Sequence, residues 1–288
     1  MLTDGKTKTK ARRVQSKPSG NQSSPALREL PLRDYIQSLE RGLSVIRCLG
    51  SSGSQTLAGV AKITGMTRAA ARRFLLTLEK LGYVDRAESD FYLLPKTLEL
   101  GYSYLASQSL TQIAQPHLLR LANLIGESCS VLVLDRHSIV YVARVTVNRL
   151  VGASLSVGST LPAYCTSAGR VLLSSLPDGE LRAYLRDASF IKLTSKTITD
   201  AGTLGKEVER VRRQGWSLIN EELEIGARAI SVPLNDQSGH IFAALNVSCY
   251  AGRIQPKAMI EEFLPHMVAT AKSINYEMSQ TVQRVSAR

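Results

Sequence analysis

The stretch Thr64–Gly82 reads TGMTRAAARRFLLTLEKLG. Gly65 marks a bend, and Thr67 is placed to cap the helix that follows. Ala71, Phe74, Leu75, Leu78 and Leu81 recur at helical spacing, which predicts one buried stripe ended by Gly82. The opposite side carries Arg68, Arg72 and Arg73, with the small Ala69 and Ala70 between them. The DNA major groove is about 12 Å wide and admits one helix. The alanines would let the backbone approach, and the planar fork of arginine matches guanine O6/N7 or phosphate oxygens. A solvated basic face on an ordinary helix is the plainer reading of the same residues. The elements on either side separate the two.

Upstream, SLERGLSVIRCLG places Leu39, Leu43, Ile46 and Leu49 on one stripe, with Ser38 as N-cap and Gly50 as stop. TLAGVAKITG predicts a short helix with Leu57, Val60, Ala61 and Ile63 facing inward. Downstream, YVDRAESDFYLL reads as two short strands around a polar turn. Three helices, the last two joined by a tight turn, followed by a hairpin, describe a winged helix-turn-helix. Its second paired helix is the one that enters the groove, so Thr67, Arg68, Ala69, Ala70, Arg72 and Arg73 are the candidate DNA-reading residues. Lys62 and Arg86 are weaker candidates for phosphate contacts. The segment TLELGYSYLASQS then predicts a linker helix.

From Leu110 the pattern changes. A helix over SLTQIAQPHLLRLANLIGE leads to strands SVLVLD and IVYVARV joined by the turn Asp135–Ser138, and VGASLSV reads as another strand. Helices follow at TSAGRVLLSSL, at DGELRAYLRD and at TLGKEVERVRRQG. Strands WSLIN, AISVPLN and HIFAALNVS come next, with a turn at Asp236–Gly239 before the last. A long amphipathic helix runs from Pro256 to about Gln283. Strands in hairpins broken by helices predict an α+β domain with an antiparallel sheet.

The totals narrow the function. The net charge is +12, and residues 1–34 carry 8 Lys/Arg against 3 Asp/Glu. That segment is poor in large apolar groups and is expected to be a disordered basic tail, either solubilising or adding non-specific DNA affinity. The basic balance favours an anionic partner, nucleic acid first. Cys48, Cys129, Cys165 and Cys249 are far apart and read as reduced thiols. No apolar run is long enough for a bilayer, and no signal-peptide core is present, so a soluble cytoplasmic chain with no membrane partner is expected. H-E-x-x-H, the P-loop and the dinucleotide fingerprint are absent, so no metal or cofactor is implied. Cys165-Thr-Ser-Ala-Gly169 looks like a nucleophile elbow, but Cys165 stands where that motif needs glycine. Of His117, His137, His240 and His266, nothing marks one as a base. The chain is expected not to be an enzyme.

A small acidic effector needs hydrogen-bond donors beside a shaped apolar wall. After Pro162 the chain enters a helix near Thr166 or Ser167, whose free N–H groups suit a carboxylate. Ala168 and Gly169 would keep the approach open. Either hydroxyl also reads simply as an N-cap, and Tyr164 as core.

SLERGLSVI, TLAGVAKITGMTRAAARRFLLTLEKLGYV, PKTLELGYSYL, VGSTLPAYCTSAGRVLL, RRQGWSLINEELEIGARAISVPLND and GHIFAALNVSCYAGR together carry a resemblance. The chain resembles the IclR-type transcriptional regulators, and within them the group controlling aromatic-acid degradation through the β-ketoadipate pathway (the PcaR, PcaU and PobR types). The resemblance runs from Tyr35 to about Gln280. It departs from the subgroup at Ala227 and Ala229, which flank Arg228 in place of Leu or Met and Ser. It implies a winged helix-turn-helix over 35–94, a linker helix over 95–109 and a GAF-like antiparallel-sheet effector domain over 110–288. It also implies double-stranded operator DNA, a small organic-acid effector, a homodimer or tetramer, and RNA polymerase as a further candidate partner. The implied effector positions are Ala163, Tyr164, Cys165, Thr166, Ser167 and Ala168, with Glu222, Arg228, Asn246 and Ser248 opposite. For the last four, a solvent-facing strand at Asn246 and Ser248, or a structural pair of Arg228 with Glu222 or Glu224, is the alternative.

Overall fold

The computed structural model describes residues 35–101, 109–147 and 155–286. The basic segment 1–34 and residues 102–108 of the expected linker helix lie outside the described residues.

The N-terminal part is built from α1 (Gln37–Ser52), β1 (Gln55–Thr56), α2 (Leu57–Thr64), α3 (Arg68–Lys80), β2 (Val84–Ala87) and β3 (Asp90–Leu93). The three strands form an antiparallel sheet in the order β1-β3-β2. Val45, Cys48 and Leu49 of α1, Val60 and Ala61 of α2, and Ala71, Leu75 and Leu78 of α3 close one core with Val84 and Phe91 of the hairpin.

Several local expectations change here. The helix α1 begins after Ile36 with no side-chain cap, so Ser38 lies inside it, and it passes through Gly50 to stop at Gly53, where φ is 71°. Leu39 and Leu43 are exposed, because the first turns of α1 carry no buried side chain and the small core is met only from Val45 onward, by Val45, Ile46, Cys48 and Leu49. Ile63 and Leu81 are also exposed, at the ends of their stripes.

The turn between α2 and α3 follows the expected chemistry. Gly65 is left-handed (φ 68°) and its N–H donates to the Ala61 carbonyl. Thr67 Oγ1 accepts from the Ala70 N–H at 3.2 Å, satisfying one of the free donors at the start of α3. At the other end, Gly82 adopts φ 78°. A short 3-10 turn, Pro95–Leu98, is fastened to this end of α3. Lys96 Nζ donates to the Leu81 carbonyl at 3.2 Å and lies 5.2 Å from the Tyr83 ring centre. Thr97 Oγ1 and the Leu94 N–H both donate to the Tyr83 carbonyl.

The second part starts at α4 (Ser109–Ile125) and continues with β4 (Ser128–Asp135), β5 (Ser138–Val145), β6 (Thr160–Pro162), α5 (Ser167–Leu173), α6 (Asp178–Asp187), α7 (Ala201–Gln214), β7 (Ser217–Asn220), β8 (Ala227–Asn235) and β9 (Ile241–Tyr250). A turn at Pro256–Ala258 and a π-helical stretch, Met259–Phe263, lead into α8 (Leu264–Ser286). Of the strand expected over 151–157, the first four residues lie outside the described residues and Leu155–Val157 are not strand, with a turn at Val157 and Gly158.

The six strands form one antiparallel sheet, β6-β5-β4-β9-β8-β7. Strand alternation gives it two apolar faces. One, with Val131, Val232, Leu245 and Val247, packs against α4 and α8 through Leu118, Leu121, Met267 and Ile274. The other, with Leu132, Ile139, Tyr141 and Ala244, packs against α5 and α7. The start of α5 packs backbone on backbone against the loop that leads into it from β6: a Cβ on Gly169 would stand 2.0 Å from the Ala163 carbonyl oxygen. Gly169 is there for this close packing and not, as expected, for ligand access.

Candidate functional site

Two regions carry the candidate chemistry. On α3 the core residues Ala71, Leu75 and Leu78 occupy one side. Arg68, Ala69, Arg72 and Arg73 are exposed on the other side, and Ala70 is half-buried between. Among the described residues, none of the three arginines forms an ion pair. Lys62 is exposed in the last turn of α2. Arg86, on the hairpin, pairs with Glu79 of α3 at 3.3 Å, so part of its charge is already matched.

The second region is a cavity of about 740 Å³ between the sheet and the α5 loop. Its wall is mostly apolar, with Leu132, Ile139, Tyr141, Leu161, Ile219 and Leu223 among its residues. Six of the ten expected effector positions line it: Thr166, Ser167, Ala168, Arg228, Asn246 and Ser248.

At the buried end sits a neutral polar cluster. Ser167 Oγ lies 2.8 Å from Ser231 Oγ. The Asn246 side-chain amide donates to both, at 3.0 and 2.9 Å. One hydroxyl proton serves the Ser167–Ser231 contact, and of the two serines only Ser167 lines the cavity. Thr166 serves as N-cap of α5, accepting from the Gly169 N–H at 3.2 Å, and its own hydroxyl donates back to the Pro162 and Ala163 carbonyls. The N–H groups of Ser167 and Ala168 head that helix without intrahelical acceptors.

The remaining four positions do not line the cavity. Ala163 forms the backbone shelf under Gly169. Tyr164 is core: its hydroxyl donates to the Ile191 carbonyl at 2.6 Å, and its ring meets Phe190 edge-on. Cys165 is fully buried, and burial, reinforced by the Glu222 carboxylate, pushes its thiol up to about 12. At neutral pH it stays a neutral thiol. Glu222 faces Arg170, a residue that periodicity hides inside an apolar helix. Arg170 is 2% exposed and binds both Glu222 oxygens, at 2.8 and 2.5 Å, while its Nε donates to the Tyr164 carbonyl. This pair ties α5 to the loop after β7.

Arg228 pairs with neither Glu222 nor Glu224. Its guanidinium donates twice to Asn220 Oδ1, at 2.9 and 2.7 Å, and to the carbonyls of Ala251 and Ile254. It is occupied as a structural clamp between β7, β8 and the turn after β9. Nearer solvent, the cavity is lined by half-exposed Tyr250 and by Arg253, whose partner is the buried Glu127. Burial raises the Glu127 pKa above the usual carboxylate range against the opposing pull of Arg253. Ser231 and Arg170 were outside the expected set. Their roles depend on partners distant in sequence, and no local pattern marks them.

Known proteins resemble both regions. Residues 38–88 match the IclR helix-turn-helix domain, and residues 102–276 match the bacterial transcriptional regulator IclR C-terminal domain. The Pca regulon regulatory protein of Pseudomonas putida is 42% identical over 247 residues, covering 85% of each chain. The crystal structure of a transcriptional regulator from Rhodococcus sp. RHA1 is similar at a TM-score of 0.74 and 46% identity, over 84% of this chain and 98% of that one. A double mutant of the PobR inducer-binding domain from Acinetobacter, solved with 3-hydroxybenzoic acid, is 34% identical with a TM-score of 0.55, over 57% of this chain and 97% of that one.

Proposed function

The chain belongs to the IclR family of DNA-binding transcriptional regulators, and from that premise we propose that the cavity behind its six-stranded sheet senses a small aromatic acid and so controls aromatic-compound catabolism. The observation that carries this reading is the cavity itself. It is mostly apolar, as a ring requires, and ends in the Ser167–Ser231–Asn246 cluster, which can hydrogen-bond one polar substituent. A double mutant of the PobR domain, of related sequence, has been solved in complex with 3-hydroxybenzoic acid.

The DNA half of the proposal rests on α3. Thr67, Arg68, Ala69, Ala70, Arg72 and Arg73 form its groove-facing side, with Lys62 and Arg86 flanking as phosphate contacts. A homodimer or tetramer would read two half-sites about one DNA turn or a multiple apart. RNA polymerase is the further partner when the regulator activates. The effector acts only if it binds one arrangement of the protein better than another.

Thermal unfolding of the full chain with hydroxybenzoates and protocatechuate tests the sensing role. A ligand at 100 times its dissociation constant that binds only the folded state adds about 2.7 kcal/mol. A rise in Tm that is lost in Asn246→Leu supports the cavity. A melting temperature indifferent to every acid would leave a DNA-binding protein with no small-molecule effector.

A further inference from the structure

We propose that Arg144 is the carboxylate receptor of this cavity, so that the effector lies with its acid group on β5 and its neutral polar group at the Ser167–Asn246 cluster. The assignment rests on the sensing reading above and specifies how that site selects an acid.

The sheet places the residues in one line. Ser231 on β8 faces Asn246 on β9, Asn246 faces Ser130 on β4, and Ser130 faces Arg144 on β5. Directly paired residues of an antiparallel sheet point to the same side. A row of four polar side chains therefore runs along this face of the sheet; Asn246 and Arg144 line the cavity, and Arg144 is the row's only charged member. All four make side-chain bonds within the row: Asn246 donates to Ser231 Oγ, and Ser130 Oγ accepts from Arg144 Nη1 at 3.0 Å.

Three arginines line the cavity, and their partners differ. Arg228 is occupied by Asn220 and two carbonyls. Arg253 has the carboxylate of Glu127. Arg144 has only hydroxyls, Ser130 and, through Nε at 3.2 Å, Thr146. Among the described residues it has no acidic partner. An arginine carries five N–H donors, so most of its fork is open. The side chain is nonetheless held in place, because those two hydroxyls fix its orientation and its guanidinium carbon lies 5.3 Å from the Tyr141 ring centre. A preoriented, uncompensated guanidinium beside an apolar wall suits a carboxylate, which it can bind through two parallel hydrogen bonds.

The shared face of Tyr141 and Arg144 is itself a structural event. Residues three apart on a regular strand point to opposite sides. Here the β4–β5 register shifts between Val131 and Leu132: Ala143 pairs with Val131, but Tyr141 pairs with Leu132, leaving Val142 as the extra residue. This bulge turns Tyr141 and Arg144 to the same cavity.

The test is calorimetric titration of the full chain with 3-hydroxybenzoate, 4-hydroxybenzoate and protocatechuate, each beside its neutral amide. The proteins are wild type, Arg144→Gln, Arg144→Lys and Arg253→Gln, with Tm as the check on folding. Wild type should prefer acid over amide. Arg144→Gln should weaken the acid roughly 10- to 100-fold and the amide no more than about threefold, so that the preference disappears. Arg144→Lys should keep part of it, and Arg253→Gln should keep it whole. An equal loss for acid and amide in Arg144→Gln would make Arg144 merely structural and overturn the assignment. So would a preference that follows Arg253. Wild type that binds neither acids nor amides would overturn the sensing role itself, whereas acid binding indifferent to Arg144 would sink only the assignment.

Discussion

On α3, Arg68, Arg72 and Arg73 are exposed and form no ion pair among the described residues. In the sheet domain, Arg170 is 2% exposed and holds both oxygens of Glu222 and the Tyr164 carbonyl. The side chain is the same and the context is opposite. Where the guanidinium is solvated and unmatched, it is available to a phosphate or a base edge. Where it is buried, it must be matched inside the protein, and its removal strands a carboxylate. Counting arginines thus says little about binding; their partners decide it.

The largest effect that would test this contrast is on stability. Arg170→Met leaves Glu222 buried without its partner and should cost about 3–5 kcal/mol, read as a fall in Tm or in denaturant midpoint. Replacing both, as Arg170→Met with Glu222→Leu, should recover much of that loss. An unchanged midpoint for the single variant would mean that the pair holds nothing, and the contrast would fail. Next in size is DNA affinity. Arg72→Ala and Arg73→Ala should each cost about 1–3 kcal/mol of binding where they meet a base, and should relax specificity at that position. A phosphate contact would instead weaken all sequences alike and reduce the salt slope. Neither should change folding stability by more than about 0.5 kcal/mol, because both are exposed and unpaired. The smallest effect is on the cap. Thr67→Ala removes the acceptor of the Ala70 N–H and should lower stability by about 1 kcal/mol in chemical denaturation.

The helix-turn-helix was legible because its signals are local. Gly65, Thr67 and the stripe at Ala71, Leu75 and Leu78 each act within a few residues, and each appears where the spacing put it. The strand β1 was invisible because two residues carry no period. Leu39 and Leu43 were misread because periodicity reports a stripe and not how far a core extends along it. In the sheet domain, the α5 loop and the strands with Asn246 and Ser248 could be read as one site, and six of the ten positions do line the cavity. The other four serve packing or a buried ion pair. That distinction rests on contacts far apart in sequence, such as Tyr164 with Ile191 and Glu222 with Arg170. Arg144 stayed hidden for another reason: a strand read at period two sends it away from Tyr141, and only the extra residue in β5 reverses that.

The contact made by Lys96 has a mechanical meaning. Its ammonium grips the Leu81 carbonyl just past the last residue of α3, while Leu94 and Thr97 hold the carbonyl of Tyr83. The helix α3 therefore ends in a joint with little slack. A displacement of Pro95–Leu98 would have to carry this end of α3 with it or break these hydrogen bonds.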